Sequence, residues 1–282
     1  MHVQLPASRS QSTAAKPLPR RLSPPVILDR LAVNGRAITV VRDDLLPAGT
    51  KQRAAAPYLA EMQIRGYDEF VYASPFSGFA QVAMAYSCLH LGLRCLLVCE
   101  ADASGARRDL KPHPFTTLAR SYGAEVELAP TLQEAERRAA GLAAEAPGRL
   151  KVPLGFDSPA FRRHLRRQLR TQWNRIRHEL GGHPRRLWLP VGSGTLAKTF
   201  SEILPPSVQI RSVNVRVLPA DDLRIRNVRE LPRATMFDAS MASHEPADKP
   251  APVPSNVFYD AKLWPFIERY AEDGDLWWNV AR

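Results

Sequence analysis

Lys51 is the side chain in this sequence with the most chemistry to offer. It stands in Pro47-Ala48-Gly49-Thr50-Lys51-Gln52-Arg53, after a strand-like run at 38–42 and two acids, Asp43 and Asp44, and before a helix-like run at 54–64. A lysine at a glycine turn between strand and helix is held in place, and amides at such a junction favour anions. So placed, it loses its proton more easily than a free lysine and attacks a carbonyl as an amine. The same spacing also fits a helix start with a solvated lysine. A second motif, Gly192-Ser193-Gly194-Thr195, lies between another strand and helix, where amides and hydroxyls converge on a phosphate. Its spacing is neither that of a Walker loop nor that of a dinucleotide fingerprint. A third, Ser74-Pro-Phe-Ser77-Gly78-Phe79-Ala80-Gln81, sets hydroxyls and amides at a third such junction. Each of these two also fits an ordinary tight turn.

Other chemistries find less support. Cys88, Cys95 and Cys99 fall in or near apolar runs and lack histidines at ligand spacing, so they are expected as buried free thiols, with no metal site. The histidines form no triad. Asp43 and Asp44 are expected as turn or capping residues. The 282 residues, 45% hydrophobic, suffice for one large or two modest domains. No run nears the roughly 20 apolar residues of a membrane span, and residues 1–25 lack the apolar block of a secretory signal. They are expected as a basic arm carrying Arg9, Lys16, Arg20 and Arg21. The expected setting is a cytoplasm.

The net charge of +11 is concentrated locally. Nine arginines, including Arg162, Arg163, Arg166, Arg167 and Arg170, lie between 162 and 186 against one acid, Glu179. Phe161, Leu165, Leu169, Trp173 and Ile176 recur at helical spacing, predicting an amphipathic helix with an arginine-covered face. That face is either solvated surface or a phosphate-contacting one.

The elements that must position these residues alternate. Strand signals at 69–73, 94–99, 125–128, 186–190 and 208–217 alternate with helix signals at 78–91, 115–122, 132–145 and 195–203. This predicts mainly parallel sheets covered by helices. Four prolines in 245–255 mark an irregular connector, followed by a helix at 261–270 and a last apolar run at 276–280.

In this order, the three motifs resemble the pyridoxal-phosphate enzymes of fold type II, the tryptophan synthase β-like family. The likeness is greatest to the branch of aminocyclopropane-carboxylate deaminase and D-cysteine desulfhydrase. It spans about 42–280 and includes Arg42-Asp43-Asp44, Gly92-Leu-Arg-Cys-Leu-Leu-Val-Cys-Glu100, Gly123 to Val126 and Tyr259-Asp260-Ala261-Lys262. The resemblance implies a fold of two open α/β domains: 26–65 with 147–282 as the larger, 66–146 as the smaller. It implies pyridoxal 5'-phosphate as cofactor and Lys51 as the Schiff-base lysine. Ser74, Ser77 and Gly78 would face the cofactor, Gly192, Ser193, Gly194 and Thr195 would hold its phosphate, and Asn279 would face the pyridine nitrogen. The family's usual asparagine is replaced near Ser77 or Gly78, and Asn279 stands where serine, threonine or glutamate is usual.

The closing Asp273-Gly-Asp-Leu-Trp-Trp-Asn-Val280 and the basic surface also look like proteins of tailed bacteriophages with hypermodified thymidine. That likeness implies an isomerase acting on glycyl-thymidine in double-stranded DNA, with the arginine-rich helix on the backbone. It also implies the host cytoplasm, and family likeness suggests a homodimer. A small-molecule lyase or deaminase of the same fold, or a non-catalytic DNA-binding relative, remain alternatives. A phosphoribosyltransferase reading of residues 40–44 lacks the loop it requires.

Overall fold

The computed structural model describes residues 22–101 and 111–282. The first 21 residues of the expected basic arm, with all four of its cations, lie outside the described residues. Among the described residues, ten strands form two sheets. The larger has the order β1-β2-β10-β7-β8-β9, from β1 (Leu28–Val33), β2 (Arg36–Arg42), β7 (Arg186–Val191), β8 (Gln209–Asn214), β9 (Ala234–Asp238) and β10 (Leu276–Asn279). The smaller has the order β5-β4-β3-β6, from β3 (Glu69–Ser74), β4 (Arg94–Glu100), β5 (Glu125–Ala129) and β6 (Arg149–Val152). Every pairing is parallel except the β1–β2 hairpin. That hairpin turns on Asn34-Gly35, both at positive φ, the geometry a two-residue turn needs.

Among the described residues, eight α-helices cover the sheets: α1 (Gly49–Ile64), α2 (Ala80–Leu91), α3 (Pro114–Ser121), α4 (Leu132–Ala144), α5 (Pro159–Glu179), α6 (Thr195–Ile203), α7 (Leu223–Arg229) and α8 (Trp264–Tyr270). The arginine-rich segment is helical as its periodicity predicts: Phe161, Leu165, Leu169, Trp173 and Ile176 are buried. The three cysteines are free and buried. No helix among the described residues is long and apolar enough to cross a membrane.

Four differences from the sequence expectation matter. The helix after β2 begins at Gly49, so Lys51 sits inside its first turn instead of ahead of it. β1, β6, β9 and α7 were not expected; all are short, and β1 and β9 alternate only weakly. The segment 261–270 is a 3-10 turn, Asp260–Leu263, followed by α8, because Pro265 removes a backbone donor at the join. The strand expected at 208–217 ends at Asn214.

The last strand, β10, enters between β2 and β7. Its side chains are buried on both faces: Trp278 packs on Phe200 of α6, and Trp277 stacks on Trp264 of α8. The carboxyl ends of β2 and β7 are thus two strand spacings apart, about 10 Å. Each of them leads into a helix that carries one of the two chemical motifs.

Candidate active site

Three anchors hold the first turn of α1. Asp43, fully buried, accepts from Thr50 Oγ1 at 2.9 Å, from Trp278 Nε1 at 3.2 Å, and from Arg53 Nη2 at 2.6 Å. The backbone N–H of Thr50 donates to the Val280 carbonyl at 3.0 Å. Gly49 has φ +66, and a Cβ there would come within 2.6 Å of the same carbonyl. Asp43 is therefore the buried hub joining β2, α1 and β10. Asp44 pairs with Arg42 at 2.8 Å. Both acids lie in the 3-10 turn Asp43–Leu45, as the sequence suggested, and their side chains add these pairings to it.

This scaffold turns Lys51 into a cleft whose empty space, mouth included, is about 610 Å³. Burial lowers its pKa from 10.5 to about 8, opposed by Asp157. Asp157 itself contacts Arg162 at 3.7 Å and Lys198 at 3.8 Å. The positive end of α1 adds to the depression. Near neutral pH the amine is unprotonated on the order of a hundred-fold more often than an ordinary lysine. The rate at which the apoprotein's Lys51 captures an aldehyde is therefore expected to rise with pH and level off near 8. A rate still climbing toward 10.5 in stopped-flow absorbance would contradict it.

The opposite wall is the turn after β7. Gly192 and Ser193 line the cleft with Lys51. α6 starts with no side-chain cap on its first amides, an arrangement that favours an anion. Ser193 Oγ lies 3.0 Å from Thr195 Oγ1, which donates to the Gly155 carbonyl at 3.2 Å. Gly155, at φ +68, lies so near that a Cβ would overlap the Ser193 side chain. Two phenols complete the polar lining. The Gly155 N–H donates to Tyr72 Oη at 3.2 Å, and the Gly192 N–H to Tyr259 Oη at 3.0 Å. Burial raises the pKa of both tyrosines, so each keeps its own proton to donate.

Lys51, Ser77, Gly78, Gly192 and Ser193 are brought together on one cleft. Ser74, Gly194, Thr195 and Asn279 are not on its surface. Ser74 Oγ closes its own turn on the Pro75 carbonyl at 3.1 Å. Gly194 packs against Val228 of α7. Thr195 braces Gly155 from behind. Asn279 is buried on the far side of β10, accepting from Ser255 Oγ at 3.2 Å and donating to the Pro254 carbonyl at 2.8 Å; Val280 and Ala281 reach the cleft instead. The expected site set omitted Tyr72, Gly155 and Tyr259. Only Tyr259 had a signal, in its Tyr-Asp-Ala-Lys segment.

Three of the five candidate DNA-contacting arginines meet acids from other elements. Arg162 contacts Asp157, Arg163 pairs with Glu61 of α1 at 2.8 Å, and Arg166 pairs with Glu202 of α6. Arg167 and Arg170 are exposed and in no ion pair among the described residues. Among those residues no three of His, Cys, Asp and Glu converge as for a metal.

Residues 19–223 match a family described as pyridoxal-phosphate dependent enzyme. None of the curated proteins matches the sequence. Among solved structures, the chain is similar to an ACC deaminase homologue (TM-score 0.69, 18% identity, 92% of this chain and 90% of that one). It is also similar to O-ureido-L-serine synthase (0.67, 17%, 91% and 88%) and to a fungal L-serine ammonia-lyase from Rhizomucor miehei (0.62, 14%, 92% and 94%). The fold is α/β, fold type II, with mainly parallel sheets. The cleft suits the cofactor. It offers an amine of lowered pKa on one side, a glycine–serine turn at a helix start on the other, and apolar walls from Phe79, Leu154 and Val217 between them.

Proposed function

Because the chain belongs to the pyridoxal-phosphate dependent enzymes, we propose that it acts on the glycyl group of a modified thymidine in double-stranded DNA, moving the thymidine methylene from the glycyl nitrogen to the glycyl α-carbon. The observation that carries amine chemistry is Lys51 on the same cleft as Gly192 and Ser193. The choice of substrate rests on the likeness of residues 273–280 and on the outward arginines of α5.

Bound pyridoxal phosphate supplies the electron sink that lowers the cost of removing a proton from the α-carbon of an amine. Lys51 Nζ would hold the cofactor through its aldehyde, and as a free amine would take the α-proton as a base. The α-carbon gives up that proton and gains the methylene carbon, while the nitrogen gives up the methylene and receives the proton, so no oxidant or reductant is needed. Gly192 and Ser193, with the first amides of α6, would hold the cofactor phosphate. Tyr72 and Tyr259 donate their hydroxyl protons within the cleft. The apolar walls would keep water from the reacting carbon.

The division into a larger unit, 26–65 with 147–282, and a smaller one, 66–146, belongs to this proposal. The second boundary moves past Val152, since β6 pairs with β3. A homodimer is part of the same proposal.

Incubating the holoenzyme with phage DNA carrying N-linked glycyl-thymidine, then separating the nucleosides chromatographically, tests the reaction. A product of equal mass and shifted retention is expected. Unchanged DNA, together with release of ammonia and a keto acid from D-cysteine or serine, would favour a small-molecule lyase, the activity in the printed name of the fungal neighbour. The DNA contact has its own test. Replacing Arg167 and Arg170 together by glutamate is expected to lower the salt slope of duplex binding by about two. An unchanged slope in fluorescence anisotropy would remove α5 from the interface.

A further inference from the structure

A second cavity, about 960 Å³ with its mouth, opens beside the cleft at the carboxyl ends of β8 and β9. Open parallel sheets take ligands at such places. Val217 lines both spaces. Ser77 of the cleft donates to the carbonyl of Ser243, on the wall of the second cavity, at 2.9 Å. The cleft and this cavity are therefore neighbours that share the Val217 wall.

Its polar lining is built. Asn214 and Asp238 are register partners, and Asn214 Nδ2 donates to Asp238 Oδ1 at 2.9 Å. Arg229 covers that carboxylate at 2.6 and 2.7 Å. Arg216 has φ +61, a conformation that costs a non-glycine residue about 1 kcal/mol or more. It is held there by its N–H on Asn214 Oδ1 at 3.0 Å and its Nη1 on the Ser240 carbonyl at 2.9 Å. The rest of the guanidinium is exposed at the cavity. Lys262 lies within the wall, fully buried, and donates to the carbonyl of the lining residue Ala242 at 2.5 Å. Burial lowers its pKa to about 8. Arg216 adds to that, while Glu245 and Asp248 oppose it. Glu245 is itself engaged by the Ala242 N–H at 2.7 Å. Among the described residues neither Arg216 nor Lys262 is in an ion pair. Two neighbouring cations without a bonded counter-charge are an unfavourable arrangement that an anion relieves.

We infer that this cavity is a phosphate subsite, in which Arg216, with Lys262 beneath it, takes a phosphate carried by the substrate away from its reacting amine. The inference rests on the reading of Lys51 as the reacting centre. A phosphate can accept from the exposed Arg216 guanidinium, while Lys262, buried behind the Ala242 carbonyl, acts on it only through its charge; in a nucleotide substrate the phosphate is the nearest anion to the base-linked amine's sugar.

The test is calorimetric titration of the holoenzyme with thymidine 5'-monophosphate and with thymidine. The monophosphate is expected to bind roughly ten-fold or more tightly than the nucleoside. Arg216→Gln, an exposed change, is expected to remove that advantage while leaving the cofactor absorbance intact. Equal binding of the two ligands by the wild type, or an undiminished advantage in Arg216→Gln, would overturn the subsite. Borohydride reduction of the wild type is run in parallel. An adduct on Lys51 with no phosphate advantage removes only the subsite, whereas no adduct removes the reading of Lys51 and leaves the binding comparison standing.

Discussion

Lys51→Ala is expected to yield a protein that folds normally but forms no borohydride-stable adduct and shows no turnover. Among the described residues, the amine is the one cleft nitrogen with both a lowered pKa and a rigid mount. Its loss removes two roles together, the covalent link to the cofactor and the base at the α-carbon. The second role alone is worth about 10²- to 10⁴-fold. The fold has no reason to suffer, because a partly desolvated ammonium is itself a cost. Thermal stability of the apoprotein is expected to be unchanged or higher. Mass spectrometry of the reduced holoprotein separates the outcomes: no added cofactor mass at any lysine supports the assignment. A surviving adduct in the alanine variant would place the chemistry on another residue.

Asp43→Ala is expected to cost about 3–5 kcal/mol of stability, the range for removing one partner of a buried ion pair. Arg53 and Asp43 have side-chain exposures of 1% and 0%, so water cannot replace the lost carboxylate. The substitution also strands Trp278 Nε1 and weakens the seat of Thr50, one residue before Lys51. Arg53 further holds residues 22–26 through the Pro24 carbonyl at 2.5 Å, so the damage reaches the start of the described chain. Urea unfolding measures the loss. Adding Arg53→Leu to the Asp43→Ala variant should recover part of it, because the uncompensated cation is then gone. A single-variant loss below about 1 kcal/mol would show that the network is solvated and does not position α1.

Local sequence carried much of the fold. α5 could be placed from its apolar spacing, and β3, β4 and β7 from continuous apolar runs, because those patterns record which face of an element leaves water. Lys51, Ser77, Gly78, Gly192 and Ser193 stood in motifs that turn chemistry writes in adjacent residues, and the fold brings them onto one cleft. β6 and β9 were not, since four or five residues of mixed character gain their identity from the strand beside them. The site residues that were missed share one cause. Tyr72 and Gly155 are 83 positions apart, and Gly192 and Tyr259 are 67 apart, so no window contains either pair.

By itself, then, the sequence determined the alternation of strand and helix, the apolar face of each element, and the two strand-to-helix turns that carry Lys51 and Gly192-Ser193. Only the tertiary structure decided that β10 separates β2 from β7, which sets the spacing of those turns and seats α1 on the Val280 carbonyl. It also decided which arginines of α5 remain available, because Glu61 and Glu202 come from other helices. The physical reason is the same in each case. Periodicity reports whether a surface is buried, whereas pairing and charge compensation act through space between groups that the chain order keeps apart.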